Sequence, residues 1–357
     1  MSTDLVLSTS WHDRGQRKLE AVRACQTRDV KTLLDLLDTY LSYRGRRGVH
    51  TSPNTRHLYG VALRDWLHYC WPEPQSSPDV SLLRASRDDV ERYVARLQQR
   101  GGHLEDASAE GLRPGSTSAY LAGVRAFYRA LQWADAVTTS PAQDVLGPSD
   151  PRPRHERRPA MPLADYKRLI LELEQGDYDE TLRSRNLLLL RLLGDQGLRV
   201  SEVVHLETSD IDLAARVMFI SNGKGGKTRT VPMTKATFRV LSGWLQKRSV
   251  CASSGDRALL VNVGKNVKAA RQGRAMHPNT VRLQLETLYK KLGIGPRYRG
   301  AHTLRHTAGT RLYRNTRDLY RVAQVLGHQD VNTSSIYAKM DIEGLKEAMA
   351  TLDDDEV

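Results

Sequence analysis

The chain reads as mainly α-helical with a small β-sheet, an α+β protein of two domains. Apolar residues recur at helical spacing over most of its 357 residues. Two short β-prone runs, Val217–Ser221 and Thr228–Met233, flank a Gly/Lys-rich turn. Between the two halves, 148–160 is rich in proline and arginine and almost free of apolar side chains. Such a segment cannot bury itself and reads as an extended connector. The stretches on either side are each long enough to enclose a core.

Residues 1–28 are polar and mixed. They read as a flexible arm in which Gln16–Cys25 can form a short amphipathic helix. The first domain, 29–147, opens with Leu33, Leu34, Leu37, Tyr40 and Leu41 at helical spacing. A basic connection over 44–54 leads to a helix marked by Leu58, Val61, Leu63, Trp66, Leu67 and Cys70 and stopped by Pro72. Ser86 is the expected cap of a helix over 90–99. A polar Gly-containing loop over 101–114 precedes a helix over 116–133, with Tyr120, Val124, Phe127, Tyr128 and Leu131 inward. Ser140-Pro141-Ala142 closes this bundle.

The second domain, 161–340, starts near Met161 with helices over 163–175 and 181–197. The latter, with Leu187–Leu190, Leu192 and Leu193, is the expected core helix, and it delivers Arg199 at its end. A further helical turn carries Val203, Val204 and Leu206. After the β-hairpin come a helix over 234–247, a strand over 258–262, a basic stretch over 267–277 and a helix over 278–292. The last segment, 341–357, continues an amphipathic helix that begins at Lys339. Ile342, Leu345, Ala348, Met349 and Leu352 form its stripe, and Asp353–Glu356 are an acidic tip.

Lysine and arginine total 54 against 41 acidic residues, a formal charge of +13 spread along the chain. That balance suits a polyanion partner, although a basic protein without one is compatible with charge alone. Candidate contacts with phosphates are Arg44, Arg46, Arg47, Arg56, Arg113 and Arg125 in the first domain. Lys227, Arg229, Lys268, Arg271, Arg274 and Arg282 are those in the second. Cys25, Cys70 and Cys251 are scattered and odd in number, with neither a disulfide framework nor zinc spacing, which fits a reducing compartment. No apolar run reaches membrane-span length, and residues 1–15 lack a signal-peptide pattern. The expected location is the cytosol, at the nucleoid in a bacterium.

The densest chemistry lies over 301–337. His302 and Arg305 are three residues apart and share a helix face. An arginine there can grip a phosphate through two parallel hydrogen bonds. His328 follows Gly327 at a helix end and adds a donor. Tyr337 carries a hydroxyl that becomes a nucleophile once a cationic field stabilises its oxyanion. Taken singly, each has a plainer reading, a packed tyrosine or a solvated arginine. His302 and His306 also have the spacing of a zinc pair, but the glutamate of the usual metalloprotease helix and an obvious third ligand are missing. The Gly223-Lys224-Gly225 turn resembles a phosphate loop, yet Lys227-Thr228 leads into a strand rather than a helix, which argues against ATP.

The ordered set His302-Thr303-Leu304-Arg305-His306, Leu326-Gly327-His328 and Tyr337, preceded by Gly197-Leu198-Arg199-Val200-Ser201-Glu202 and Gly223-Lys224-Gly225, resembles the signature of the tyrosine recombinase (phage integrase) family. Its spacing is similar to that of the Xer-type members, and the likeness runs from about 30 to 350. The resemblance implies a helical, SAM-like core-binding domain and a C-terminal catalytic domain, clamping double-stranded DNA from opposite sides at a specific recombination site. It implies that Tyr337 attacks a phosphodiester to form a 3′-phosphotyrosyl link. Arg199, Arg305 and His328 would then stabilise the phosphorane, Lys224 would protonate the leaving 5′-oxygen, and His302 would assist proton transfer at the tyrosine. Glu202, three residues past Arg199, is placed to hold that guanidinium. Neither metal nor ATP is implied as a cofactor. The free protein is expected as a monomer, and the assembly on synapsed DNA as a homotetramer or a heterotetramer with a paralogue, with the terminal helix docked into a neighbour. Rival readings are a type IB topoisomerase-like relaxase, a non-catalytic DNA-binding protein of the same fold, and a metal-dependent nuclease around His302 and His306.

Overall fold

The computed structural model describes residues 11–45, 48–72, 80–100, 111–152, 159–221, 228–265, 267–328 and 330–339. The chain divides into two compact units, Met1–Pro151 and Arg152–Val357. Arg46, Arg47, Lys224, Lys227 and the expected terminal helix over 341–357 lie outside the described residues.

The first unit is a helical bundle: α1 (Arg14–Gln26), α2 (Val30–Tyr43), α3 (Pro53–Cys70), α4 (Arg87–Arg100) and α5 (Pro114–Trp133). Each start has a local cause. Asp13, Asp29 and Ser52 accept hydrogen bonds from first-turn backbone N–H groups of α1, α2 and α3. Pro53 and Pro114 sit in first turns, where no N–H is needed. At α4 the expected cap is reciprocal: Ser86 Oγ accepts from Asp89 N at 3.2 Å, and the Asp89 carboxylate accepts from Ser86 N at 2.8 Å. Trp66 is fully buried at the centre, edge-on to Tyr93 and Tyr128.

Over residues 11–28 the expectation of a flexible arm does not hold. Helix α1 runs longer than the short helix read there, and Trp11, Ala21, Ala24 and Cys25 are buried in the bundle core. The Trp11 indole donates to Asp35 at 2.6 Å, and the Arg17 guanidinium lies 4.1 Å from the Trp133 ring centroid. One tryptophan, two alanines and a cysteine do the anchoring, a pattern too sparse to register as an apolar stripe. The bundle also extends beyond Ala142. Val145 belongs to its core, and Arg125 donates to the carbonyls of Ala142 and Val145.

The second unit is built on α7 (Glu180–Gly194), whose Leu188–Leu190, Leu192 and Leu193 are buried, with α6 (Leu163–Gln175) beside it. Helix α7 stops at Gly194, earlier than expected. The chain turns through Gly197, and Arg199 becomes the N-cap residue of α8 (Val200–His205) instead of the end of the core helix. A three-stranded antiparallel sheet follows, β1 (Ile211–Asp212), β2 (Val217–Ser221) and β3 (Thr228–Pro232), in the order β1-β2-β3 with Phe219 opposite Thr230. Two-residue β1 is too short to show a pattern in the sequence. The expected strand over 258–262 forms only isolated bridges, Glu207 with Ala258 and Val261 with Ala275. Leu259, Leu260 and Val261 are all fully buried, so there is none of the alternation of a half-exposed strand. Then come α9 (Lys235–Cys251), α10 (Pro278–Lys291), α11 (Gly300–Thr316), α12 (Leu319–Leu326) and α13 (Ser335–Lys339). No helix among the described residues is long and apolar enough to cross a membrane.

Candidate active site

Two backbone turns meet at α11. Arg305 lies on its buried face, 5 % exposed, and donates to the carbonyls of Gly197 and Leu326 at 2.6 Å each. It thereby ties the turn before α8 to the end of α12. Burial lowers the Arg305 guanidinium to about 10, and Arg199 nearby acts in the same direction. Arg199 enters from the start of α8. It donates to Glu202 at 2.8 Å and reaches the Gly327 carbonyl at 3.5 Å. The expected Glu202–Arg199 pair is therefore present, within a larger cluster.

Glu202 also accepts two hydrogen bonds from Arg229 and one from the Arg199 backbone N–H, and it lies 4.0 Å from Arg305. Burial alone would raise this carboxylate. The Arg229 and backbone hydrogen bonds outweigh it and hold Glu202 down to about 2. Arg229, expected to meet DNA phosphates, is instead committed internally: both terminal nitrogens bind Glu202 and Nε binds the Val325 carbonyl at 3.0 Å. The reason is strand alternation. Arg229 shares the inward face of β3 with buried Val231.

Gly327 closes α12 with a positive φ of 66°, and a Cβ there would meet the Arg229 guanidinium at 2.8 Å. This turn presents His328. Its ring stacks on Tyr337, with centroids 6.0 Å apart and planes 9° from parallel, and its Nδ1 is 2.8 Å from the Ser334 hydroxyl. Burial first, then Arg305 and Arg199, lowers His328 to about 4, so the imidazole is neutral near pH 7. On α13, Tyr337 is 1 % exposed, its ring also 5.8 Å from that of His306. Gly309 on α11 makes the seat, since a Cβ there would lie 2.5 Å from the tyrosine ring. Burial raises the phenol above its ordinary value, while Arg305 and Arg199 pull it down.

Arg199, Glu202, Arg305, His328 and Tyr337 thus come together, whereas His302 is exposed on the first turn of α11, one turn ahead of Arg305. Lys224 lies in the hairpin turn outside the described residues. Among the described residues no group of three or more His, Cys, Asp and Glu side chains is arranged to hold a metal, and His306 faces Tyr337.

Of the expected phosphate contacts, Arg44, Arg113, Lys268, Arg271, Arg274 and Arg282 are exposed, Arg282 beside Glu286 at 2.9 Å. Arg56 is half-buried between Asp38 at 2.5 Å and Ser42 at 2.9 Å, and Arg125 holds the two carbonyls beyond α5. Arg56 and Arg125 stitch the bundle together. Sequence reasoning did not reach Arg229 in its internal role, nor Gly309 and Ser334. The Arg229-Thr230-Val231 alternation carried a signal for the first. Only tertiary packing reveals the other two.

Fold and site together describe a phosphoryl-transfer enzyme with a buried tyrosine beside paired arginines. The phage integrase family matches residues 160–343, and the chain belongs to that family as an Xer-like tyrosine recombinase. It is 30 % identical over 316 residues to a tyrosine recombinase XerC of Pseudomonas savastanoi pv. phaseolicola, covering 87 % of this chain and 92 % of the relative. The XerC of Pseudomonas putida KT2440 is 29 % identical over 311 residues, covering 87 % of this chain and 92 % of that one. Among solved structures, a XerH site-specific recombinase bound to a palindromic difH substrate, in a post-cleavage complex, shares the fold. It has a TM-score of 0.69 at 18 % identity and covers 97 % of this chain and 99 % of that chain. A lambda integrase dimer bound to a COC′ core site matches with a TM-score of 0.61 at 16 % identity, over 85 % of this chain and 75 % of that one.

Proposed function

We propose that this protein cuts and rejoins double-stranded DNA at a specific recombination site, in Xer-type dimer resolution or mobile-element integration. The observation that carries the reading is the seat of Tyr337, stacked on His328 beside buried Arg305 and Glu202 and half-buried Arg199. The Tyr337 hydroxyl attacks the scissile phosphorus as its proton passes to the neutral imidazole of His302. The bond to the 5′-oxygen breaks and that oxygen takes a proton from Lys224. Phosphorus is left esterified to tyrosine on the 3′ side. Charge that develops on the non-bridging oxygens is met by the guanidinium groups of Arg199 and Arg305 and by an N–H of His328. Attack by a 5′-hydroxyl of a partner strand reverses the step. Repetition on the second strand pair resolves the Holliday junction. No bond energy leaves the system, so the steps require no ATP.

Each protomer would act in a tetramer on synapsed DNA, at the nucleoid in the cytoplasm. The decisive experiment is incubation with a nicked suicide substrate carrying the cognate site, found by selection from random DNA. A covalent protein–DNA adduct on a denaturing gel, absent for Tyr337→Phe, is the expected outcome. No adduct on any selected site would overturn the reading in favour of a non-catalytic DNA-binding protein. Relaxation of supercoiled DNA lacking the site would favour the topoisomerase-like rival.

A further inference from the structure

We propose that Ser334 is a positioning residue that sets the protonation of His328, holding the imidazole as the tautomer with its proton on Nε2. The Ser334 side chain is fully buried, and its hydroxyl lies 2.8 Å from His328 Nδ1. Among the described residues that hydroxyl has no other hydrogen-bond partner. Leaving a buried O–H without an acceptor forfeits its solvation with nothing in exchange. The hydroxyl hydrogen therefore goes to Nδ1, which must be bare to accept it.

A neutral imidazole has one N–H only, so a bare Nδ1 puts that proton on Nε2. The groups around the ring favour neutrality. Arg305, Arg199, Arg229 and His306 all disfavour a further positive charge there, and the Tyr337 ring covers one face. Ser334 therefore decides which nitrogen is the donor. It is also joined to the nucleophile, because its carbonyl accepts from the Tyr337 backbone N–H at 3.0 Å. One residue thus sets the donor edge of His328 and the first turn of the tyrosine helix. Resting on the strand-cleavage reading above, the inference gives the Nε2–H a target, a non-bridging phosphate oxygen. The other tautomer would present a lone pair to that anion.

The test has two arms on the full-length protein. Nitrogen-15 imidazole spectra without DNA, with His328 assigned through His328→Gln, read the tautomer directly. A bare Nδ1 and a protonated Nε2 are expected in the wild type, and a mixture in Ser334→Ala. In the second arm, cleavage of the nicked substrate by Ser334→Ala should fall by about tenfold or more, as for an oxyanion donor lost part of the time. DNA affinity should stay within about twofold. Ser334→Thr, which keeps the hydroxyl, should restore both the spectrum and the rate. If Ser334→Ala fails to fold, Ser334→Cys takes its place, keeping the volume while weakening the donor. A wild-type ring protonated on Nδ1, or a variant that keeps both tautomer and rate, would overturn the inference. If the wild type forms no adduct at all, the strand-cleavage reading falls, and the spectra still decide the tautomer.

Discussion

Glu202 and Arg229 face one another as a fork: each carboxylate oxygen accepts from one guanidinium nitrogen at 2.9 Å, with 5 % of one side chain and 10 % of the other exposed. Through this pair, β3 at the foot of the Lys224 hairpin is joined to the start of α8 and, through Val325, to the turn that presents His328. Breaking a buried pair by removing one partner costs about 3–5 kcal/mol, because the other charge stays buried. Arg229→Ala should lose that much unfolding free energy in denaturant titration of the second unit. Cleavage should be undetectable, with half-site affinity little changed. Arg229→Lys should rescue only in part, since an ammonium cannot donate as a planar fork. A variant of normal stability with weakened DNA binding would instead make Arg229 a phosphate contact.

Two acid-sensitive windows follow from the same cluster. His328, ordinarily 6.5, is held near 4 in the folded state. The unfolded chain therefore binds the extra proton between those values, and stability falls as the pH drops from 6.5 towards 4. Glu202, ordinarily 4.5, is held near 2. Its contribution is full above 4.5 and is lost as the pH falls towards 2. Denaturant midpoints measured across the acid range should decline in both windows. His328→Gln should flatten the upper one and Glu202→Gln the lower. A decline that neither substitution alters would place the acid-sensitive groups elsewhere.

Lys268, Arg271 and Arg274 are exposed ahead of α10 and, among the described residues, make no ion pair of the kind found for Arg229. If each neutralises one phosphate, replacing all three by alanine should reduce the slope of log affinity against log salt by about 2–3 units. The fold should be unaffected. An unchanged slope would remove this segment from the DNA interface.

Much of this architecture is legible in the residues, because long apolar periodicities dominate it. Leu188–Leu193 marks the core helix, the glycine-rich turn marks the hairpin, and Ser86 marks a cap. What escaped reading depended on sparse or long-range cues. Helix α1 is held by Trp11, Ala21 and Ala24, which make no conspicuous stripe. Arg199 sits past a turn that only Gly197, with φ at 64°, discloses. At the site, the order of Arg199, Arg305, His328 and Tyr337 was readable as a motif. Arg229 was misread because net charge is a property of composition, whereas an ion pair with Glu202 is a property of the folded strand. Arg56 and Arg125 were likewise read from composition, whereas their bonds to Asp38 and to the Ala142 carbonyl belong to the folded bundle.

Lys224 is the proposed acid for the leaving 5′-oxygen. Lys224→Ala should be slow on ordinary DNA, by about 100-fold or more. It should recover to near wild type on a substrate with a 5′-bridging sulfur, which leaves without protonation. Failure to recover would give Lys224 a binding role, or pass the acid to Lys227.

Gly309 offers the sharpest test of the nucleophile's seat. It lies on α11 one turn after Arg305, and Tyr337 packs where its side chain would be: an added Cβ would stand 2.5 Å from two ring carbons and 2.9 Å from a third. In an isolated helix, Gly→Ala is stabilising by about 1 kcal/mol. Here the methyl group and the ring cannot occupy the same space, so the tyrosine must move or the helix must shift. The backbone of α11 is fixed by its helical hydrogen bonds, whereas the Tyr337 ring rests on stacking against its neighbours, so the ring is the softer element. Gly309→Ala should therefore retain DNA affinity within about twofold. A nucleophile misplaced by about 1 Å should form adduct some 100-fold more slowly. Gly309→Ser, which adds the same Cβ, should reproduce the slower adduct formation. Wild-type adduct formation by Gly309→Ala would mean that the seat observed here is not the position from which Tyr337 attacks.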